Sequence, residues 1–453
     1  MKVILTVHQF FPEFGAGTEV LTYSVAKELQ RLGHTVKVFT GSPAKEDLPI
    51  SERFDKYTYD GIEVYRYNHI YERMPDQKLL MELDYNNQLV YMYFKKLLAE
   101  EKPDIVHIFH LIRLSASIID ACTDSGVPVV MTPTDFWLKC ITCQLRLPDN
   151  SICAGPDRDS ANCVRHIVQQ NLPTIYEGPF KKVPKWMLSL AIFFIKRGLN
   201  VDRKFSGELR ALVNRKEFLE KRMKRLDQLF IPTKIMQQVL LKDGSKTSKN
   251  MLIPFGINMD NMTTIPKHRP GKKLVLGYIG TISEHKGVHI VAAAVHRLAN
   301  RNVELRIYGK QDDFLPYFEE LQTLIGDDDR IKFHGTFPNH EIGKIMSSLD
   351  ALVVPSIWYE NTPLVVYSAQ AAGCPVLGSN MPGIAEVIHD GVNGFLFEPG
   401  NVSSLVMVLQ KILHGNGILE KLRLNAVKPL SVQGYVAQLV NSYDDIVKNR
   451  INP

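Results

Sequence analysis

In the stretch PSIWYENTPLVVYSAQAAG, residues 355–373, an acid stands where an apolar strand hands over to a helix. Glu360 follows the run ALVVPS, Thr362 is suited to cap a helix, and Pro363 fits the first helical position, where its missing N–H is not needed. The amides of Leu364 and Val365 would then point from the helix start toward an anion, the arrangement that suits a diphosphate. Lys286, in the turn HKG after another strand, would add a full positive charge at the same level, or else be a solvated turn lysine. A carboxylate beside a diphosphate is repelled by it. Glu360 is therefore expected to accept hydrogen bonds from hydroxyls or to steady positive charge at a reacting carbon; the plainer alternative has it capping Asn361 and the helix start.

Other residues carry chemistry of other kinds. Gly15 and Gly17 in FGAGTE would let a loop approach phosphates closely, although most such glycines only make a turn. His107 and His110 lie in DIVHIFH at an odd spacing, which puts them on opposite faces of a strand. His110, nearer the strand end, is the better site candidate, with Asp135 after the next strand; His107 reads as a packed or capping histidine. Cys140, Cys143, Cys153, Cys163 and His166 fall within 27 residues as C-x2-C-x9-C-x9-C-x2-H. A structural zinc needs four such ligands, but the spacing is irregular, and small buried cysteines holding down a loop are the reading slightly preferred.

The elements that must position these groups alternate. KVILTV, a helical run LTYSVAKELQRLGH and TVKVFTG open the chain; KLVLGYIG, VHIVAAAVHRLANRN and VELRIYG repeat the order far downstream. Each is a strand–loop–helix–strand unit, followed in its own half by PDIVHIF and VPVVMTPT, or by RIKFHGTF, ALVVPS and CPVLGS. Continuously apolar strands imply parallel sheets covered on both faces. The expected fold is α/β, two Rossmann-like doubly wound domains facing across a cleft. The first spans residues 1–258, with a basic insert at about 164–225. A linker at 259–272 leads to a second domain at 273–430, and a last helix over 431–453 packs back on the first.

Apolar content of 45% and charged content of 23% are those of a globular protein, and a net charge of +6 over 453 residues indicates no nucleic-acid coat. No stretch approaches eighteen uninterrupted apolar residues, and the first strand is too short for an export signal, so a cytoplasmic protein with reduced cysteines is expected. The charge is concentrated. Residues 181–225 hold fourteen lysines and arginines against four acids, and within them WMLSLAIFFI, 186–195, is apolar throughout. Two readings are open: a helix packed on the first domain, or a peripheral contact with an anionic membrane surface.

Taken in order, the motifs resemble the glycosyltransferase family 4 enzymes. They are GAGTE (15–19), RLGHTVKVFTG (31–41), PDIVHIFH (103–110), TDFWLKC (134–140), IPFGIN (253–258), GTISEHKG (280–287), PSIWYENTPLVV (355–366), AAGCPVLGS (371–379) and GIAEVIHDGVNGFLFEPG (383–400). The resemblance implies the two-domain GT-B architecture. It also implies transfer of a sugar, with retained configuration and no cofactor, from a nucleotide-diphosphate-sugar to a glycan or lipid-linked acceptor on the first domain. Glu360 then begins the family's Glu-x7-Glu motif, whose second member grips the ribose; here that position is Ser368. Thr281 stands where many relatives carry an arginine beside the lysine, and Thr134 stands where many carry a histidine. The donor site implied comprises Gly15, Gly17, Thr281, Lys286, Phe337 at the end of RIKFHGTF, Asn361, Thr362, Leu364, Val365 and Ser368. Glu360, Lys286, His110 and Asp135 serve the reaction. The two departures keep a second reading open, a non-catalytic nucleotide-sugar or glycan-binding protein. A dinucleotide oxidoreductase fits less well, because GAGTE lacks the full G-x-G-x-x-G spacing.

Overall fold

The computed structural model describes residues 1–44, 48–71, 77, 79–171, 180, 182–198, 203–242, 249–260, 262, 273–361 and 363–451. They form two compact units. The first comprises Met1–Pro232, Met236–Ile253 and Val436–Pro453; the second comprises Thr233–Ile235 and Pro254–Tyr435. The second unit thus begins before the expected linker, most of which, 261 and 263–272, lies outside the described residues.

In the first unit eight strands form one sheet: β1 (Lys2–Val7), β2 (Thr35–Pro43), β3 (Phe54–Tyr59), β4 (Ile62–His69), β5 (Ile105–Ile108), β6 (Val129–Met131), β7 (Gln228–Ile231) and β8 (Asn250–Leu252). Their order is β3-β4-β2-β1-β5-β6-β7-β8, parallel throughout except for the antiparallel pair β3–β4. Val3, Ile4, Leu5 and Val7 are all fully buried, as expected of a strand covered on both faces. Helix α1 (Gly17–Arg31) follows β1 and ends before Gly33, whose φ of 83° supplies the left-handed residue that stops a helix. Among the described residues the insert carries the helices α2 (Ala161–Asn171), α3 (Lys185–Lys196) and α4 (Arg203–Met223), with a small core that includes Val164, Leu188, Ile192 and Leu212.

Part of the insert's charge is turned inward, against acids of the first unit. Arg215 meets Asp84 at 3.1 Å, Arg222 meets Asp120 at 3.0 Å, and Arg225 bonds Asp120 and Asp124. These arginines tie α4 to the rest of the first unit.

The helix Val432–Ile451 delivers Tyr443 and Arg450 to the first unit. Arg450 pairs with Asp227 at 2.9 Å, and the Tyr443 hydroxyl bonds His107 Nδ1 while Thr132 Oγ1 lies 2.9 Å from Nε2. His107 is therefore packed, and burial pushes its pKa down to about 3. The unfolded chain protonates this group near pH 6.5, so its contribution is complete above that pH. Below it, about 1.4 kcal/mol is lost per unit until about pH 3. Between pH 6.5 and pH 5 the protein should lose about 2 kcal/mol more than a His107→Gln variant in urea unfolding; equal losses would show that His107 does not titrate this way.

The second unit carries a six-stranded, fully parallel sheet: β9 (Leu274–Ile279), β10 (Val303–Tyr308), β11 (Ile331–Gly335), β12 (Ala351–Val354), β13 (Val376–Ser379) and β14 (Gly394–Phe397), in the order β11-β10-β9-β12-β13-β14. Strand β12 stops at Val354, because Pro355 has no N–H to continue a ladder. Helices α5 (Val288–Arg297) and α6 (Leu364–Ala371) follow β9 and β12. Among the described residues no single helix is long and apolar enough to cross a membrane.

Candidate functional site

Chain order and sheet order diverge at the centre of each sheet, between β1 and β5 in the first and between β9 and β12 in the second. In the second unit β10 lies on one side of β9 and β12 on the other, the kind of strand-order switch at whose carboxyl ends open α/β sheets bind ligands. Lys286 and Glu360 sit on the loops leaving β9 and β12. Lys286 Nζ is 2.6 Å from Glu360 Oε1, although 74 residues separate them. The same oxygen accepts from Ser356 Oγ at 2.7 Å and from Trp358 Nε1 at 2.8 Å, and Nζ also lies 4.8 Å from the Trp358 ring centre. The loops are stitched by the bond from Ile357 N to His285 O, 3.0 Å. Gly287, at φ 74°, permits this approach, since a Cβ there would lie 2.0 Å from the Pro355 carbonyl oxygen. The expected free cation is thus already matched with a carboxylate. Glu360 is 5% exposed and so is held rigidly rather than waving in a turn.

The remaining donor-side candidates fall unevenly. Helix α6 starts at Leu364 with Pro363 as its capping residue, one position later than expected, and Thr362 lies outside the described residues. Leu364 and Val365 do open the helix, where amides lack intrahelical acceptors. Asn361 is buried, with its Nδ2 lacking a hydrogen-bond partner among the described residues. Ser368 is buried, and its hydroxyl donates to Leu364 O at 3.1 Å, one turn back on its own helix. Thr281 offers its carbonyl to the Tyr278 hydroxyl at 2.6 Å, a loop contact. Phe337 packs edge-on against Tyr308 at 5.6 Å, and Tyr308 stacks on His334 at 4.9 Å, giving an aromatic group at the ends of β10 and β11.

The first unit repeats the geometry between β1 and β5, where the order again switches. His110 Nε2 lies 2.6 Å from Asp135 Oδ2, and His110 Nδ1 accepts from Ile112 N at 3.1 Å, which assigns the proton to Nε2. Asp135 Oδ1 accepts from Trp137 N at 2.8 Å. Two further groups complete the cluster, and sequence reasoning passed over both. His8, just after β1, stands 4.3 Å from the His110 ring. Glu19, in the first turn of α1, stands 3.4 Å from His8 Nε2. Burial lowers the His8 pKa, aided by His110 and Arg113, and burial raises that of Glu19. The signal for Glu19 was its place in GAGTE, where attention fell on the glycines. Gly15 is needed within its own loop, because a Cβ would meet the Phe11 ring at 2.8 Å, whereas a Cβ on Gly17 would meet open space.

The zinc expectation for Cys140, Cys143, Cys153, Cys163 and His166 is not met: among the described residues no group of three or more potential ligands is arranged to hold a metal. All four cysteines are free, and the backbone turns about them, such as Cys153 N to Leu145 O at 2.7 Å, organise the loop. Burial pushes the Cys163 thiol up to about 12, and burial also raises Cys143 and Cys153, so these are neutral packed thiols.

Comparison with known proteins gives a consistent result. The family described as Glycosyltransferase Family 4 matches residues 15–168, and the family described as Glycosyl transferases group 1 matches 262–428. The chain is 29% identical over 203 residues to the sulfoquinovosyl transferase of Arabidopsis thaliana, covering 42% of this chain and 38% of that protein. It is 28% identical to an uncharacterized glycosyltransferase of Methanocaldococcus jannaschii, over 40% of this chain and 44% of that one. To the phosphatidyl-myo-inositol mannosyltransferase of Mycobacterium leprae it is also 28% identical, over 37% and 46%. The matched part spans less than half the length of each of these relatives. In fold it is similar to the sucrose-phosphate synthase of Thermosynechococcus elongatus (TM-score 0.67, 15% identity, 99% of both chains). It is also similar to Anabaena HepE in complex with UDP and glucose (TM-score 0.60, 16% identity, 100% of both chains).

Proposed function

Because the chain belongs to the family 4 glycosyltransferases and has their GT-B fold, we propose that it moves a sugar, with retention, from a nucleotide-diphosphate-sugar to a glycan or lipid-linked acceptor. The observation that carries this reading is the Lys286–Glu360 pair at the strand-order switch of the second unit, beside the opening of α6. Among the described residues the bonds to Glu360 converge on Oε1, which leaves Oε2 to meet a sugar hydroxyl or the positive charge growing at the anomeric carbon. Lys286 and the α6 amides face the leaving diphosphate, whose charge increases as the glycosidic bond breaks. In front-face attack the departing phosphate oxygen takes the acceptor proton. The aromatic group of Tyr308, His334 and Phe337 offers a face on which a base stacks.

His110 and Asp135 position the acceptor hydroxyl in this scheme, their orientation fixed by Ile112 N and Trp137 N. Separate His110→Ala and Asp135→Asn replacements are expected to lower turnover at least about tenfold; if neither does, the acceptor side is misassigned. Incubation with a panel of nucleotide-sugars, following nucleotide release, tests the activity itself. Tight binding without any release would favour the other reading, a nucleotide-sugar or glycan-binding protein, which the inward-bonded Ser368 hydroxyl supports. Action at the cytoplasmic face of a membrane is part of the same proposal, supported by the exposed apolar residues of α3.

A further inference from the structure

A pocket of about 870 Å³ opens within the first unit, bounded by the cysteine-bearing loop, by α2 and by the first turn of α3. Among the described residues its walls carry Lys139, Arg158, Arg165, Lys185, Lys216 and Lys242 against two acids, Asp149 and Asp157, and Lys139 also pairs with Glu220 at 3.4 Å, so the cations remain in excess. One of those acids is already engaged, with Lys185 Nζ 3.0 Å from Asp157. His166 also lines the pocket and is held neutral by burial, so it offers a hydrogen bond without charge. A concave wall with this excess of cations concentrates positive potential at its mouth and selects an anion.

The rim supplies a second, independent observation. Helix α3 leaves the pocket at Lys185, and its next residue, Trp186, is 66% exposed. Met187, Leu190, Phe193 and Phe194 are exposed as well, and this spacing puts all five on one face, while Leu188 and Ile192 pack inward. A soluble anion would use the pocket and leave that apolar face bare; an apolar protein partner would use the face and leave the pocket's excess positive charge unused. A phosphate-bearing lipid at a bilayer surface uses both, with apolar side chains among the acyl chains and the lysines and arginines at headgroup level.

We propose that this pocket binds the phosphate or diphosphate group of a membrane lipid while α3 lies in the interface. The inference rests on the membrane-proximal acceptor reading above and gives it a location and a ligand class.

The test is flotation of the full chain with phosphatidylcholine vesicles, with and without phosphatidic acid. Binding is expected with phosphatidic acid and at least about tenfold weaker without it. Arg158→Glu/Lys242→Glu should weaken it at least about tenfold, and so should Trp186→Ser/Phe194→Ser. A charge-matched control, Lys56→Glu/Lys96→Glu, should float as the parent does. Each variant must keep the parent's unfolding temperature. Undiminished flotation of the pocket variant, or equal loss in the control, would overturn the site. Calorimetric binding of inorganic phosphate without flotation would make it a soluble-anion site, and a dimer dissolved by Trp186→Glu would make α3 a self-association face; either defeats the proposal. Thermal shift with nucleoside diphosphates reads the second unit separately, so its failure would sink the transferase reading while leaving the lipid result standing.

Discussion

Replacing Glu360 with glutamine is expected to lower turnover of nucleotide-sugar by about 100- to 1000-fold, the range seen when one preorganised electrostatic group is removed from a reacting centre. Glutamine matches the side chain in size, and its carbonyl oxygen still accepts from Ser356 Oγ and Trp358 Nε1. What disappears is a full negative charge at a 5%-exposed position, where water screens it little. Nucleoside diphosphate binding, followed by thermal shift, should persist, because the proposed scheme has the diphosphate held by Lys286 and the α6 amides rather than by the acid. A variant that turns over within fivefold of the parent would reduce Glu360 to a structural partner of Lys286.

The second large effect is expected at Lys286. Its ammonium is balanced by Glu360 and rests over Trp358. A diphosphate arriving at the start of α6 competes for that cation, and hydrogen bonds between charged groups contribute about 1.5–3 kcal/mol each. Lys286→Met should therefore weaken nucleoside diphosphate binding about 10- to 100-fold. It should also destabilise the fold by about 1–3 kcal/mol, since a nearly buried carboxylate loses its counter-charge. Combining Lys286→Met with Glu360→Gln removes both charges together and should restore much of the stability without restoring binding. Additive stability losses in that cycle would mean that the two side chains do not act as a pair. Unchanged nucleotide affinity in the single variant would remove Lys286 from the donor site.

Several features were legible along the chain because they are local. Periodic apolar runs gave the strands β1, β2, β5, β9, β10 and β13 and the helices α1 and α5, and their alternation implied parallel sheets. The hairpin β3–β4 was also written locally, in the Asp60–Gly61 turn with φ values of 44° and 74°, yet it was passed over in favour of the βαβ pattern. The role expected for Ser368 shows the opposite limit. Its hydroxyl could reach a ligand or its own helix carbonyl, and the fold shows it donating to Leu364 O. The cysteines behave likewise, because sequence spacing constrains which thiols can meet but not whether the loop brings them to one centre.

The chain by itself determined which chemistries were on offer: an acid before a proline-capped helix, a lysine in a glycine turn, two histidines near strand ends, and a cationic insert around an apolar segment. Tertiary structure decided which of them meet. Lys286 reaches Glu360 because β9 and β12 are neighbours in the sheet although two other strands lie between them in the chain, and His8 meets His110 because β1 and β5 are neighbours in the same way. Strand order is settled by the packing of the whole sheet and its covering helices, a sum over many distant contacts. No local run of residues encodes it, so the pairing of charges emerged only with the fold.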